Sequence, residues 1–311
     1  MEKRTLGNTG IEVTDIGMGC WAIGGASFRG GVASGWSGAS IDASLAAVKA
    51  AWQAGVTFYD TADAYGRGKS EVLVGYALQD VKDQAVIATK AGNSLAGPGQ
   101  HFNEPYLRGA LDASLTRLEV EAVEVFLLHG PPVEEMTDEL FALMGDLKAS
   151  GKVKSWGVSI GSADEGRRAL EGGAEVIQLV YNILQQDVAR QILPLAREQE
   201  VGIIARVPLA SGWLTGKYDE NTRFPESDHR RGKYDAARAR ETAARVRQLD
   251  FLLDEADSLA AAALRFTLSH PAVSTVIPGA KTAAQVAANV KASGKPLSEA
   301  ALKKIDGLFA A

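Results

Sequence analysis

The chain has 311 residues, of which 46% are apolar and 23% are charged, a composition typical of a soluble globular protein with a large core. Its net charge of −5 argues against a general nucleic-acid or membrane-surface binder, and no run of 18 apolar residues predicts a membrane span. The single cysteine, Cys20, excludes a disulfide framework, and the N-terminus MEKRTLGNTG lacks the apolar region of a signal peptide. These features predict a cytoplasmic protein.

The predicted elements begin with a β-hairpin, because KRTLGNTGIEVTDIGMG contains two short extended runs around the turn GNTG. Short apolar runs then alternate with longer amphipathic segments along the chain. Eight short runs predict strands, in the order TDIGMGC, VTFYD, AVIATK, VEVFLLH, VKSWGVS, EVIQLV, VGIIARV and STVIPG.

The amphipathic segments predict helices, and they include IDASLAAVKAAWQAG, EPYLRGALDASLTRLE, TDELFALMGDLKASG, ADEGRRALEGG, DVARQILPLAREQE, LAAAALRFTLSH and TAAQVAANVKAS. A stretch from about Ala236 to Glu255 predicts an additional helix, and LSEAALKKIDGLFA predicts a terminal one. Nearly continuous apolar strands are typical of a sheet that is buried on both faces. Together these elements predict an α/β fold, a single (β/α)8 TIM barrel over residues 1–311 with an N-terminal β-hairpin and extra helices. A doubly wound open sheet has the same alternation and is the alternative.

Long loops follow three of the predicted strands, namely the glycine-rich segments 24–38 and 92–100 and the polar segment 212–235. In a barrel they would lie on the face where ligands bind. GMGCWA matches the glycine pattern of a dinucleotide-binding turn, but no helix is predicted after it, which disfavours that interpretation. The basic stretch HRRGKYDAARARETAARVRQ is interpreted as a solvated face. The four histidines lack metal-ligand spacing, so no metal site is expected.

Polar residues stand at or near the ends of six predicted strands, namely Asp60, Lys90, His129, Ser159, Gln178 and Arg206. In a closed barrel the carboxyl ends of all strands meet at one rim, so these side chains would converge. Tyr65 follows Asp60 closely, in TFYDTADAYG.

Each of these residues also has a simpler explanation. Asp60 could cap a turn, Tyr65 could be a packing residue, Lys90 could be solvated and His129 could be a satisfied core histidine. As a group, however, they suit the protonation of an oxygen while a hydride reaches the adjacent carbon. A tyrosine with an ordinary pKa of about 10 is a poor acid at neutral pH, and a nearby ammonium such as Lys90 would lower that pKa.

The remaining roles follow from the same chemistry. Asp60 would keep Lys90 charged and fixed, and His129 would donate a hydrogen bond to the substrate oxygen.

A set of segments resembles the aldo-keto reductase family in the family's order and over nearly the whole chain. They are GVTFYDTADAYG, VIATK, VFLLHG, GVSIGS, QLVYN, VPLASGWLTGKY and VIPGAKTAAQVAANV. The strongest similarity is to bacterial members related to general stress proteins. The resemblance implies a (β/α)8 barrel that binds NADPH across the rim and reduces aldehydes or ketones to alcohols.

The resemblance also implies roles for individual residues. The catalytic tetrad falls on Asp60, Tyr65, Lys90 and His129, while Ser159 and Gln178 match the positions that hold the nicotinamide carboxamide. The match to the loop near the pyrophosphate consists of Pro208, Leu209, Ala210, Ser211 and Gly212, with Lys217. The match to the adenosine end consists of Gly279, Lys281, Thr282, Gln285 and Asn289, where a helix N-terminus would offer free amides to the 2′-phosphate. Trp21 matches a residue of the substrate pocket, and a core aromatic is an equal alternative.

Two positions depart from the family pattern. Ile160 stands where an asparagine is common, and Arg206 stands where an aromatic residue often stacks on the nicotinamide. Both departures concern cofactor binding. The expected partner is a small carbonyl substrate, with no nucleic acid or membrane. The alternative function is an NADPH-binding, redox-sensing or regulatory barrel with little turnover.

Overall fold

A computed structural model of the protein describes residues 1–93 and 99–309, so part of the glycine-rich segment 92–100 lies outside the described residues. The predicted hairpin is present, since β1 (Lys3–Thr5) pairs with antiparallel β2 (Glu12–Thr14). The strands that follow are β3 (Met18–Gly19), β4 (Phe28–Arg29), β5 (Val32–Ala33), β6 (Phe58–Asp60), β7 (Val86–Ala91), β8 (Val123–His129), β9 (Val153–Ser159), β10 (Val176–Val180), β11 (Gly202–Arg206) and β12 (Val273–Ile277).

A parallel barrel forms the centre of the protein. Within the described ranges, β3 and β6 to β12 make one sheet of eight strands in sequence order, each parallel to its neighbours. Parallel bridges between Ile16 and Val276 and between Gly19 and Gly279 join the first strand to the last. The sheet therefore closes into the predicted (β/α)8 barrel, and the doubly wound alternative is wrong.

Helices surround the barrel. They are α1 (Ile41–Gln53), α2 (Lys69–Leu78), α3 (Glu104–Leu118), α4 (Asp138–Ala149), α5 (Ala163–Glu171), α6 (Asp187–Glu198), α7 (Arg230–Lys233), α8 (Ala236–Arg247), α9 (Leu259–Leu268), α10 (Ala283–Asn289) and α11 (Glu299–Phe309). Many begin with a capping side chain, as where the Ser40 hydroxyl accepts from the Ala43 amide. None of the helices in the described ranges combines the length and the apolar composition that a membrane crossing requires.

Helix α2, the hairpin of β4 and β5, and the short helix α7 were not predicted; α7 lies inside the segment 212–235 that was predicted to be a polar loop. Helix α2 was missed because Glu71 and Gly75 lie on its buried face, which weakens the apolar stripe on which a sequence prediction depends. The small antiparallel hairpin of β4 and β5 lies inside a glycine-rich segment that was predicted to be a loop, and Gly30 and Gly31 form its turn.

Apolar side chains fill the lower half of the barrel. Successive residues of a strand point to opposite faces, so every second residue of a barrel strand points inward. The inner cluster contains Leu6 and Val13 from the N-terminal hairpin segment together with inward-facing residues of the strands, namely Phe58, Ala88, Val125, Leu127, Val176, Ile204 and Ile277. The hairpin thus closes the amino end of the barrel, and the opposite end stays open for a site.

This closure gives a stability prediction. Leu6 is completely buried in the inner cluster, so Leu6→Ala should lower the free energy of unfolding by about 2–5 kcal/mol through lost burial and the cavity left behind. Leu253→Ala is the matched control, since that leucine is 53% exposed. Urea unfolding of both variants measures the difference. Equal losses at the two positions would contradict the role of the hairpin as a plug.

Candidate active site

The polar strand ends converge as predicted. The inward-facing strand positions next above the apolar cluster carry polar side chains. We call this set the rim layer, and it consists of Asp60, Lys90, His129, Ser159, Gln178 and Arg206. Strand pairing aligns them, since His129 pairs with Ser159 and Ser159 pairs with Gln178. The same period-two pattern therefore accounts for both the apolar layer and the polar layer above it.

A buried ion pair lies at the centre of the rim layer. The Lys90 ammonium nitrogen is 2.8 Å from both carboxylate oxygens of Asp60, and it donates to the Thr61 carbonyl oxygen at 2.8 Å. It lies 3.2 Å from the Tyr65 hydroxyl oxygen. Lys90 is fully buried, so this lysine is not the solvated residue of the simpler explanation. Its three partners satisfy the charge inside the barrel.

The loop that carries Tyr65 is held by close backbone packing. Gly66 has a φ of 61°, and a Cβ there would lie 2.4 Å from the Gly24 carbonyl oxygen. A glycine is therefore needed both for the left-handed backbone and for the close approach. The Asp63 amide donates to the Lys90 carbonyl oxygen at 3.1 Å, which ties the loop to β7. These contacts fix the Tyr65 side chain over the Lys90 ammonium.

The pKa of Tyr65 differs from the sequence prediction. Burial raises it above its usual value, while the charge of Lys90 acts in the opposite direction without prevailing. The predicted effect of Lys90 is present, but the net lowering of the pKa is wrong for this structure. Burial also acts to lower the pKa of Lys90, but Asp60 and Tyr65 outweigh it and raise that pKa. The pair is thus a charged lysine beside a neutral phenol.

His129 and Trp21 stand next to Tyr65. Burial, with the charges of Lys90 and Arg206, holds the pKa of His129 well below its usual range, so the imidazole is neutral at pH 7. Its Nδ1 atom is buried and has no hydrogen-bond partner in the part of the chain that the structure describes. The Trp21 ring stacks on the Tyr65 ring with centroids 6.0 Å apart and lines the cavity, so it is not only a core aromatic.

A hydrogen-bonded chain runs from β9 to the ion pair. The Ser159 hydroxyl donates to the Gln178 side-chain oxygen at 3.1 Å, and the Gln178 amide nitrogen donates to Asp60 at 2.6 Å. The next residue, Ile160, is buried and offers only its backbone, whose amide bonds to the Gln178 carbonyl. Ser159 and Gln178 therefore orient the Asp60 carboxylate as well as facing the cavity.

A cavity of ≈ 730 Å³ opens above the rim layer. Of the predicted site residues, all but Lys90, Ala210 and Thr282 line it: Trp21, Asp60, Tyr65, His129, Ser159, Gln178, Arg206, Pro208, Leu209, Ser211, Gly212, Lys217, Gly279, Lys281, Gln285 and Asn289. Lys90 lies beneath the cavity floor, where it bonds to Tyr65. Thr282 lies outside the cavity, because its hydroxyl caps α10 by accepting from the Gln285 amide.

The predicted adenosine end needs a correction. The Lys281 amide donates to the Gln285 side-chain oxygen at 2.7 Å, and the Gln285 amide is taken by Thr282, so two of the amides expected to be free are engaged. The Lys281 ammonium donates to the Ser37 carbonyl oxygen at 2.8 Å. Burial, followed by the charge of Arg230, lowers the pKa of Lys281. A ligand at this end would meet the side chain of Lys281 more readily than a helix terminus.

The loop after β11 has an unusual backbone. Val207, Ala210 and Ser211 have φ values of 56°, 46° and 58°, and Gly212 has 95°, so four positions within six residues are left-handed. Non-glycine residues seldom adopt this conformation, and clusters of it often occur at ligand sites. The loop lines the cavity between the rim layer and Lys217.

Several cavity residues were missed by sequence reasoning. Arg230, assigned to a solvated face, is buried, pairs with Asp228 at 2.8 Å and stacks over Trp36 at 4.5 Å. Asp228 also accepts from the Ser37 hydroxyl at 2.8 Å, which joins the two long loops at 24–38 and 212–235. The sequence did offer one signal for these residues: aromatic and arginine side chains occur inside loops that are otherwise polar or glycine-rich.

Asp63 is a second buried carboxyl group close to the ion pair. It is 1% exposed, and burial together with the charge of Glu71 raises its pKa to about 7. Glu71 is itself buried and bonded to Arg117 and Thr89, each at 2.6 Å. Among the described residues, no cluster of three His, Cys, Asp or Glu side chains is arranged to hold a metal ion.

The chain is similar to known proteins over nearly its whole length. The model of a family described as the aldo/keto reductase family matches residues 15–310. The aldo-keto reductase YhdN of Bacillus subtilis (strain 168) is 30% identical over 322 aligned residues, covering 99% of this chain and 94% of the relative. An NADH-specific methylglyoxal reductase of Escherichia coli (strain K12) is 32% identical over 235, covering 70% of each. The holo form of the aldo-keto reductase AKR11C1 from Bacillus halodurans superposes with a TM-score of 0.83 at 26% identity, covering 99% and 96%.

The burial of Asp63 predicts a pH-dependent stability. The pKa of Asp63 is higher in the folded protein than in the unfolded chain, so ionisation of Asp63 favours the unfolded chain. The free energy of unfolding should therefore fall as pH rises from about 4 to about 7. Asp63→Asn should therefore be more stable than the wild type at pH 8, on the order of 1–4 kcal/mol, and the difference should vanish near pH 4. Urea unfolding at both pH values measures it. The control Asp80→Asn removes an exposed carboxylate, and an equal effect there would assign the change to surface charge.

Proposed function

The chain belongs to the aldo/keto reductase family, whose members are oxidoreductases of carbonyl compounds that use a nicotinamide cofactor, and we propose that it reduces aldehydes or ketones to alcohols with NADPH and Tyr65 as general acid. The observation that carries this proposal is the buried chain from Asp60 through Lys90 to the Tyr65 hydroxyl, which ends in a large cavity beside His129. We further propose that residues 1–311 act as one catalytic domain and that the enzyme is cytoplasmic, in keeping with its single buried cysteine.

The donor set of the cavity suits an extended dinucleotide. Ser159 and Gln178 would hold the carboxamide near Tyr65, the left-handed loop and Lys217 would hold the pyrophosphate, and Lys281 with Asn289 would hold the adenosine end. When bound, the nicotinamide would supply the hydride that reaches the carbonyl carbon. Ile160 has no polar side chain, so the carboxamide would rely on Ser159 and Gln178 alone at this position.

Proton transfer would proceed through Tyr65. As the hydride arrives, the carbonyl oxygen gains negative charge and takes the proton from the Tyr65 hydroxyl. The phenolate that remains lies 3.2 Å from the Lys90 ammonium, which stabilises it. Asp60 keeps Lys90 charged, because its carboxylate opposes the effect of burial on the Lys90 pKa. A pKa of Tyr65 raised by burial favours the neutral acid before the reaction, and the Lys90 charge limits the cost of losing the proton.

His129 would position the substrate. A neutral imidazole can donate one N–H to the carbonyl oxygen, and burial keeps it neutral across physiological pH. The His129 and Tyr65 rings are nearly perpendicular, with centroids 5.8 Å apart, and both line the same part of the cavity. Trp21, whose ring stacks on Tyr65, would form an apolar wall of the substrate pocket.

The choice of NADPH over NADH rests on charge at the far end of the cavity. Lys281 and Lys217 both line the cavity, and the charge of Lys217 contributes to the lowered pKa of Lys281. The 2′-phosphate of NADPH would provide an anion for Lys281, while Lys217 would face the pyrophosphate. One relative is named an NADH-specific reductase, so the choice varies within similar proteins and has to be measured.

The alternative function, a regulatory barrel with little turnover, predicts cofactor binding without catalysis. The contact geometry of Asp60, Lys90 and Tyr65 favours catalysis, since each partner is within hydrogen-bond distance. Multiple-turnover oxidation of NADPH with a panel of neutral and charged aldehydes decides between them.

Loss of the general acid gives the first functional prediction. Tyr65→Phe should lower kcat by roughly 10²-fold or more, because the hydroxyl acts mainly in the transition state, while the Kd for NADPH should change little. Stopped-flow hydride transfer and fluorescence titration measure the two quantities. Tyr76→Phe removes the hydroxyl of a 54% exposed tyrosine and should leave both unchanged. Near wild-type turnover in Tyr65→Phe would remove this residue from its proposed role.

Cofactor choice gives the second prediction. Lys281→Ala should raise the Kd for NADPH on the order of tenfold or more and leave that for NADH nearly unchanged, since a charge-assisted contact is worth roughly 1.5–3 kcal/mol. The preference for NADPH should narrow as salt rises. Lys295→Ala, at an exposed lysine, is the control. Equal weakening of both cofactors by Lys281→Ala would show that this lysine does not recognise the 2′-phosphate.

A further inference from the structure

Arg206 ends β11 as a cation with no carboxylate at ion-pair distance among the described residues. Its Nη2 atom donates to the Ile160 carbonyl oxygen at 2.9 Å, and its Nε atom is buried without a hydrogen-bond partner in the described ranges. Two acidic groups act on it from beyond ion-pair distance: Asp60 pairs with Lys90, and Glu165, which lines the same cavity, accepts from the Gly161 amide at 2.6 Å. Burial lowers the pKa of Arg206, and the electrostatic influence of Tyr65, Asp60 and Glu165 opposes that shift without prevailing. The guanidinium is therefore an incompletely neutralised charge.

That charge acts on the reacting end of the cavity. Arg206 belongs to the rim layer and lines the same cavity as Tyr65, and its charge affects the pKa of both Tyr65 and His129. A hydride donor must stand about 3–3.5 Å from the carbonyl carbon that Tyr65 protonates. Any nicotinamide that reacts here must therefore lie within the field of Arg206.

The two redox forms of a nicotinamide respond differently to such a field. In reduction, a ring C–H bond breaks and its hydrogen leaves with both electrons to form a C–H bond at the carbonyl carbon. The carbonyl oxygen takes the Tyr65 proton. The ring is neutral before this step and carries a positive charge after it. A guanidinium without a counter-ion repels only the second form.

We propose that Arg206 makes the site discriminate between the redox forms of its cofactor, favouring the reduced form and weakening retention of the oxidised form. This inference rests on the proposed function. Binding and reaction form a thermodynamic cycle, so a site that binds the reduced cofactor more tightly than the oxidised cofactor also changes the equilibrium constant of the bound reaction. The equilibrium between bound substrate and bound alcohol shifts towards the carbonyl substrate by the same factor. Arg206 would thus act through its charge, without taking part in bond breaking. It would reduce inhibition by the oxidised cofactor and make the reduction step on the enzyme less favourable.

The test compares binding constants, so it does not depend on turnover. Kd values for NADPH and NADP⁺ are measured by calorimetry for the wild type and for Arg206→Met, Arg206→Gln and Arg206→Lys. The ratio of the Kd for NADP⁺ to that for NADPH should fall on the order of tenfold or more in the Met and Gln variants. Arg206→Lys keeps the charge and should retain the ratio. Arg240→Gln, at an exposed arginine of α8, is the control for loss of a surface charge.

A nicotinamide-free ligand separates this effect from a phosphate contact. 2′-Phospho-ADP-ribose should bind equally well to the wild type and to all folded variants, as judged by near-ultraviolet circular dichroism. If Arg206→Met weakens this ligand, NADPH and NADP⁺ alike, Arg206 binds a phosphate and the inference is overturned. An unchanged ratio in Arg206→Met and Arg206→Gln overturns it as well, with the proposed function intact. A wild-type protein that binds neither cofactor overturns both.

Discussion

The buried ion pair of Lys90 and Asp60 is the contact on which the rest of the site depends. A lysine with no exposed surface inside a barrel requires full compensation, since an unpaired ammonium there would be strongly destabilising. Two carboxylate oxygens and the Thr61 carbonyl oxygen supply it, and the remaining direction faces the Tyr65 hydroxyl. The pair thus determines where the phenol can lie. Gln178 extends the same network to β10.

The pair is possible because the barrel interior is divided into layers. Below it, Leu6, Val13 and the inward-facing aliphatic residues fill the amino end and exclude water. Above it, the cavity admits a ligand. The polar groups lie at the junction between the two, buried enough for strong electrostatic effects and open enough to react. The shifted pKa values of Tyr65 and His129 follow from this position, because burial is the largest cause of each.

The upper wall of the cavity depends on contacts between distant loops. Asp228 and Arg230 from the loop after β11 contact Ser37 and Trp36 from the loop after β3. The left-handed segment that begins at Val207 shapes the wall between them. Arg206, at the base of that segment, donates to the Ile160 carbonyl oxygen and has no carboxylate at ion-pair distance among the described residues. The shape of the upper cavity therefore depends on these loops more than on the barrel strands.

The sequence by itself determined the barrel and the rim layer. Strands β8 and β9 were predicted with their observed bounds, because continuous apolar runs bounded by turn residues leave little freedom, and their polar last residues mark the rim. The resemblance in motif order then implied the tetrad, which we propose as the catalytic group. Tertiary structure alone decided the rest. Helix α2 was hidden by buried Glu71, and buried Arg230 looked like a surface cation. Whether a charge is solvated, paired or left without a partner depends on residues far away in the chain, and local patterns contain no record of that.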